Sequence, residues 1–131
     1  MKLKDVLKGL EILSANVDPE QEIRDVSYDS RKTKPGDLFV AMTGFATDGH
    51  AYIEKAVAAG AAAVLCQKLP EGEVPYVQVT DSRRGLAVVG ANFFGHPAEK
   101  MTMIAVTGTN GKTTTTYLLK AILEQALGAK V

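Results

Sequence analysis

Residues 107–114 read Thr-Gly-Thr-Asn-Gly-Lys-Thr-Thr, and they constrain this chain more than any other stretch. They follow an apolar run, Met101 to Val106. They precede a segment in which Leu118, Leu119, Ile122, Leu123, Ala126 and Leu127 recur at helical spacing. A strand, a glycine-bearing loop and a helix in that order form the context in which such a loop holds phosphate. Glycines let the main chain wrap closely around phosphate oxygens with successive amides pointing inward. The helix N-terminus adds free N–H groups and the positive end of its dipole. Gly108, Thr109, Asn110, Gly111, Lys112, Thr113 and Thr114 are therefore the expected ATP-binding residues. Lys112 is the candidate catalytic group, a point charge able to reach the β- and γ-phosphates, and the Thr113 hydroxyl is the candidate ligand of Mg²⁺. The loop is the short Gly-x-x-Gly-Lys-Thr form, because the residue five before Gly111 is Val106.

One strand and one helix cannot bury each other's apolar faces alone. Residues 99–131 are thus expected to be the opening of a second domain, an ATPase domain truncated after its first strand, loop and helix. No strand follows that helix to supply the second metal-binding acid that phosphoryl transfer normally uses. Asp29 and Asp37 are the nearest acidic candidates, and both precede the expected boundary at Gly95–Ala98.

Residues 1–98 have the length and pattern of a small α/β domain. Leu3, Val6, Leu7 and Leu10 predict a helix over 2–11. Alternation from Ile23 to Tyr28 predicts a half-buried strand. Lys34-Pro35-Gly36-Asp37 is a turn signal, and Leu38 to Met42 then reads as a strand buried on both faces. A helix over 51–59 stopping at Gly60, short strands at 63–66 and 76–79, and a helix over 82–94 complete the series. Strands alternating with helices predict an α/β unit with a partly parallel sheet.

The 131 residues carry 15 Lys+Arg against 15 Asp+Glu, so no basic excess points to nucleic acid. Charges interleave the apolar residues of the N-terminus, and the longest apolar run, Ala56 to Cys66, is too short to span a bilayer. A cytoplasmic protein is expected. Cys66 is the single cysteine, which excludes an internal disulfide and a Cys-rich zinc site.

Two stretches resemble the Mur ligase family of peptidoglycan synthesis. One runs Ser27-Tyr28-Asp29-Ser30-Arg31 through Pro35-Gly36-Asp37-Leu38-Phe39-Val40-Ala41 to Gly44 and Asp48-Gly49-His50; the other is Val106 to Thr115. The resemblance is strongest to the branch that adds the third amino acid of the peptide. It implies a UDP-binding domain at 1–98, in which Ser30 hydrogen-bonds the UDP-sugar and Tyr28 lies near the uridine. Phe45, Ala46 and Thr47 would line the same pocket through their backbone, since some relatives carry His-Gln in place of Phe45-Ala46. The implied reaction is ATP-dependent amide formation. The D-glutamate side-chain carboxylate of UDP-N-acetylmuramoyl-L-alanyl-D-glutamate becomes an acyl phosphate, and a diamino acid (meso-diaminopimelate or L-lysine) displaces the phosphate. Residues 1–131 alone would be inactive.

Two other readings compete. The D-alanyl-D-alanine-adding relatives share the Gly-Asp-Leu-Phe-Val strand, but their loop usually reads Gly-Ser-x-Gly-Lys-Thr. A non-catalytic UDP-sugar-binding module would need neither the acid nor a third domain. Simpler roles exist for several residues: Asp29-Ser30-Arg31 as a turn, His50 as a cap or surface residue, Cys66 and Phe93-Phe94 as core, and Arg83-Arg84 as a solvated helix face.

Overall fold

The computed structural model describes residues 1–44 and 48–131. By contacts the chain divides into two compact units, Met1–Pro97 and Ala98–Val131.

The first unit is built on one five-stranded sheet. In chain order its elements are α1 (Leu3–Val6), β1 (Ile12–Ala15), β2 (Val26–Ser27), β3 (Leu38–Val40), α2 (Ile53–Ala58), β4 (Ala63–Cys66), β5 (Tyr76–Val79) and α3 (Ser82–Phe93). The strands lie in the order β1-β5-β4-β3-β2. β2 to β5 run parallel and β1 is antiparallel to β5. The α/β class with a largely parallel sheet is as the sequence predicts.

Strand alternation sends side chains to two cores. Leu38, Val40, Ala63, Leu65, Val77 and Val79 face one side, where they meet Leu3, Val6 and Leu7 and Val89 of α3. Phe39, Ala41, Val64 and Cys66 face the other, where Ile53 and Ala56 of α2 cover them. Each large side chain buried this way contributes roughly 1.5–3 kcal/mol. Cys66 is a core residue, and burial pushes its thiol up to about 11.

Several expectations are corrected. The first helix ends at Val6, because Leu7 caps it and Gly9 turns the chain at φ 82°. Strand β1 was not foreseen. It is an edge strand with Ile12 and Leu13 exposed, and polar bonds anchor it where alternation would otherwise announce it. Ser14 Oγ bonds Gln78 Oε1 at 2.9 Å, and the Asn16 amide accepts from Tyr76 N and donates to Val74 O. The strand expected over 23–28 shrinks to β2. Ile23 is buried, but its N–H donates to Met1 O outside the ladder. Phe94 is 65% exposed, so of the pair only Phe93 packs on the core.

The turn at 34–37 is present, with Asp37 N donating to Lys34 O at 3.1 Å. Asp37 is 2% exposed. One of its oxygens accepts from Arg24 Nη2 and the other from Lys34 N. Both oxygens of Asp37 are thereby engaged in holding the turn.

In the second unit, α4 (Lys112–Leu127) forms as expected and stops at Gly128, whose N–H bonds Glu124 O. Residues 102–108 take no strand. A strand exists only through ladder partners, and among the described residues this unit offers no second extended segment. Leu119 and Leu123 are half-buried, whereas Tyr117, Leu118, Ile122 and Leu127 are exposed. No helix of the described residues is long and apolar enough to cross a membrane.

Candidate functional site

Parallel strands present their carboxyl ends on one edge of a sheet, and ligands bind in crevices there. In the first unit a cleft of about 500 Å³ opens at this edge. Tyr28 to Arg31 follow β2, Phe39 lies in β3, and Met42 and Gly44 follow it. Gly49 and Tyr52 come from the 3-10 turn before α2, Lys55 from α2 and Arg83 from the start of α3.

The segment after β2 is indeed a turn, and it also walls the cleft. The Asp29 carbonyl accepts from Lys32 N and Thr33 N, and its carboxylate accepts from Arg31 N, Nε and Nη2. The Arg31 guanidinium, helped by its backbone N–H, lowers the Asp29 carboxyl to about 2. Both oxygens of Asp29 are thus engaged by Arg31. The Thr33 hydroxyl ties this turn to Ser27 Oγ at 3.0 Å. Ser30 is left 9% exposed on the cleft wall, and among the described residues no partner engages its hydroxyl. Tyr28 is 63% exposed at the mouth. The structure thus brings Tyr28 and Ser30 together; Phe45, Ala46 and Thr47 lie outside the described residues.

His50 is more than a surface cap. Its Nε2 accepts from Gln67 N at 3.0 Å and Lys68 N at 3.2 Å. An acceptor at Nε2 requires the proton on Nδ1, which faces Asp48 Oδ1 at 2.6 Å. Asp48 also accepts from His50 N and from Lys68 Nζ at 2.7 Å. These bonds fasten Asp48 and His50 to the residues that follow β4. Gln67 extends the fastening, since its side chain meets Thr43 Oγ1, Ser82 Oγ and Thr80 O.

The Lys68 ammonium, then the His50 N–H and imidazole, hold the Asp48 carboxyl well below the usual carboxylate range. A carboxyl depressed in the folded state stabilises above its unfolded value, roughly pH 4, and that stability fades as pH falls further. Asp48→Asn should therefore lower the melting temperature at pH 7. Its melting temperature should also fall less steeply than the native protein's between pH 5 and 2.5, so that the two curves converge in acid. Parallel curves in thermal melts would show that Asp48 carries no such load.

Arg83, expected on a solvated helix face, and Lys55, for which the sequence carries no signal, both line the cleft. Arg83 Nη2 donates to Thr43 O at 3.1 Å. Their separation along the chain hid them, since only the strand order brings residues 28, 55 and 83 to one edge.

In the second unit, Gly111 precedes α4 in the left-handed region, at φ 75°, and Gly108 lies at φ 149°. The first bond into the helix is Thr115 N to Gly111 O. The N–H groups of the first turn have no intrahelical acceptor. The Lys112 ammonium folds back onto the Gly108 carbonyl. Positive-φ glycines, free amides and a cation over the loop suit an anionic phosphate chain. Mg²⁺ binds through one or two protein oxygens together with phosphate oxygens and waters, and the exposed Thr113 hydroxyl can supply one. Among the described residues no group of three His, Cys, Asp or Glu could hold a metal without that phosphate.

A glycine-bearing loop before a helix N-terminus and a cleft at a parallel sheet edge are features suited to a nucleotide-binding α/β protein. Residues 22–101 match the family described as Mur ligase family, catalytic domain, and residues 106–131 match the Mur ligase middle domain. The chain belongs to the Mur ligase family. It is 46% identical, over its whole length, to the UDP-N-acetylmuramoyl-L-alanyl-D-glutamate–2,6-diaminopimelate ligase of Clostridium tetani, covering 28% of that protein. The ligase of the same name from Caldanaerobacter subterraneus is 47% identical over 95% of the chain and 26% of its own length. The chain thus spans between a quarter and a third of these relatives.

Among solved structures, a UDP-N-acetylmuramoyl-L-alanyl-D-glutamate–2,6-diaminopimelate ligase matches with a TM-score of 0.70 at 27% identity, over 96% of this chain and 26% of its own. The MurF ligase of Thermotoga maritima in complex with ADP matches with a TM-score of 0.59 at 30% identity, over 78% and 23%.

Proposed function

We propose that this chain is the nucleotide-sugar-binding and phosphate-loop portion of an ATP-dependent amide ligase. In this reading the whole protein joins a diamino acid, meso-diaminopimelate or L-lysine, to the D-glutamate of UDP-N-acetylmuramoyl-L-alanyl-D-glutamate in the cytoplasm. The observation that carries it is the pairing, on one chain, of the Ser30 cleft with the Gly108–Thr114 loop. The identity to ligases of that name across the full length of the chain supports it.

Residues 1–98 form the UDP-sugar domain, and residues 99–131 begin the ATP domain. The Ser30 hydroxyl, covered by its own turn and still uncommitted, hydrogen-bonds the nucleotide-sugar, while the exposed Tyr28 ring flanks the uridine. The family resemblance assigns Phe45, Ala46 and Thr47, outside the described residues, to the same ligand. Gly108, Thr109, Asn110, Gly111, Thr113 and Thr114 offer amides and hydroxyls to the ATP phosphates, and Lys112 and Mg²⁺, with Thr113 as one ligand, offset their charge. ATP, when bound, supplies the phosphoryl group that turns a poor electrophile, the free carboxylate, into a good one. Lys112 moves from the Gly108 carbonyl to the phosphate oxygens without leaving the loop.

The protein that carries this segment should release ADP only when the UDP-muramoyl dipeptide, ATP and a diamino acid are all present. A coupled ADP assay reads this directly. ADP release that ignores the diamino acid, or none at all with the complete mixture, would overturn the proposal. The non-catalytic module would show UDP-sugar binding without turnover.

A further inference from the structure

A titratable network stands beside the cleft and not in it. His50 is not a lining residue, yet Gly49 before it and Tyr52 after it are. Its side chain is 10% exposed, and both ring nitrogens are engaged. Nε2 accepts from the Gln67 and Lys68 amides, and Nδ1 stands 2.6 Å from Asp48 Oδ1. An Asp–His pair has the form of a general base, but here the nitrogen that would take a proton already accepts from two N–H groups. The pair is arranged to hold backbone.

What it holds is one wall of the cleft. The chain leaves β3 through Met42, Thr43 and Gly44. Asp48 bridges Thr43 antiparallel, and Gly49 N donates to Met42 O at 2.7 Å. Both limbs are tied to one dipeptide, Gln67-Lys68, that follows β4. Gln67 Oε1 accepts from Thr43 Oγ1 at 3.3 Å, Lys68 Nζ donates to Asp48 Oδ2 at 2.7 Å, and both amides donate to His50. Met42, Gly44, Gly49 and Tyr52 all line the cleft; Gln67 and Lys68 do not. The His50 bonds are the most demanding of these ties. Nε2 accepts an N–H only while it carries no proton, so the ring is neutral with its one proton on Nδ1. Asp48 fixes that tautomer, and Lys68 holds the other Asp48 oxygen.

We propose that His50 is a positioning residue for the ligand of the cleft: through Nε2 it fixes Gly49 and Tyr52 against the exit of β4, and so sets nucleotide affinity without touching the nucleotide. This rests on reading the cleft as a nucleotide site.

Two measurements on the 131-residue chain test it. Long-range proton–nitrogen NMR of the imidazoles in slightly alkaline buffer reads the tautomer of the native chain. His50→Gln separates the His50 signals from those of His96, the other histidine. His50 should show a protonated Nδ1 and a bare Nε2. A proton on Nε2 overturns the proposal, and this readout does not depend on any variant folding. Calorimetric titration with UDP then compares His50→Asn with His50→Gln. Asn can offer an N–H to Asp48 from near the Nδ1 position but does not reach the two amides. The longer Gln can bring its carbonyl oxygen near the Nε2 position. His50→Asn should weaken UDP binding about tenfold, the scale of one or two lost hydrogen bonds, and His50→Gln should stay within about threefold of native. Native-like affinity in both variants overturns the proposal and leaves the site standing. An equal loss in both, or a loss confined to His50→Gln, does the same, because the Nε2 acceptor would not then be what matters. Failure of the native chain to bind UDP overturns the cleft reading, and this proposal with it.

Discussion

On the proposed ligase reading, Lys112→Met in the whole protein that carries this segment is expected to lower kcat by about 10³-fold, the scale on which loss of a preorganised electrostatic group slows a reaction. The substitution removes the ammonium and keeps a straight apolar stem of similar helix propensity, so α4 should still form. Lys112 is exposed, and its ammonium donates to the Gly108 carbonyl of its own loop. The melting temperature should therefore hardly move. UDP affinity should not change either, because the cleft is built from residues 28–83 of the other unit. The predicted pattern is lost turnover with intact folding and intact nucleotide-sugar binding. Turnover within a few fold of native would show that the loop lysine does not stabilise the transferred phosphoryl group.

The second large effect is at Gly49. A Cβ built there would lie 2.7 Å from both the N and the O of Met42 and 3.3 Å from the Ala41 carbonyl carbon. These are backbone atoms at the end of β3, where Gly49 N donates to Met42 O at 2.7 Å, so no side-chain rotation can relieve the clash. Gly49→Ala should cost about 2 kcal/mol, the scale of overpacking a tight site. That corresponds to a fall of roughly 8–16 °C in melting temperature for a domain of this size. UDP affinity should fall at least about tenfold, because Met42, Gly44 and Gly49 all line the cleft. Gly90→Ala is the matched comparison. Gly90 lies inside α3 with nothing within 4 Å of its added Cβ, so the same chemical change should stabilise by about 0.5–1 kcal/mol. Equal melting temperatures for the two variants would show that the Met42 approach is not rigid.

Much of the first unit could be read from residue patterns. The helix expected over 82–94 is α3, and the strands expected over 38–42, 63–66 and 76–79 are β3, β4 and β5. What escaped was held by polar side chains or by long-range pairing. Asn16 and Ser14 anchor β1 through Tyr76, Val74 and Gln78, some 60 residues away, a bond pattern with no local periodicity. The run at 101–106 is apolar enough for a strand, yet hydrophobicity does not supply a ladder partner. At the candidate site, Tyr28 and Ser30 were reached through family resemblance. Arg83, Lys55 and the His50 fastening gave no signal, because a cation on a helix reads the same whether it faces water or a cleft.

The phosphate loop was determined by the sequence itself. Its glycines, lysine and threonines are contiguous, and the positive φ angles and free helix amides they require are local properties of the chain. The cleft was decided only by the tertiary structure. Its lining is drawn from positions 28 to 83, which meet because β2 to β5 run parallel and deliver their carboxyl ends, with the segments that follow them, to one edge of the sheet.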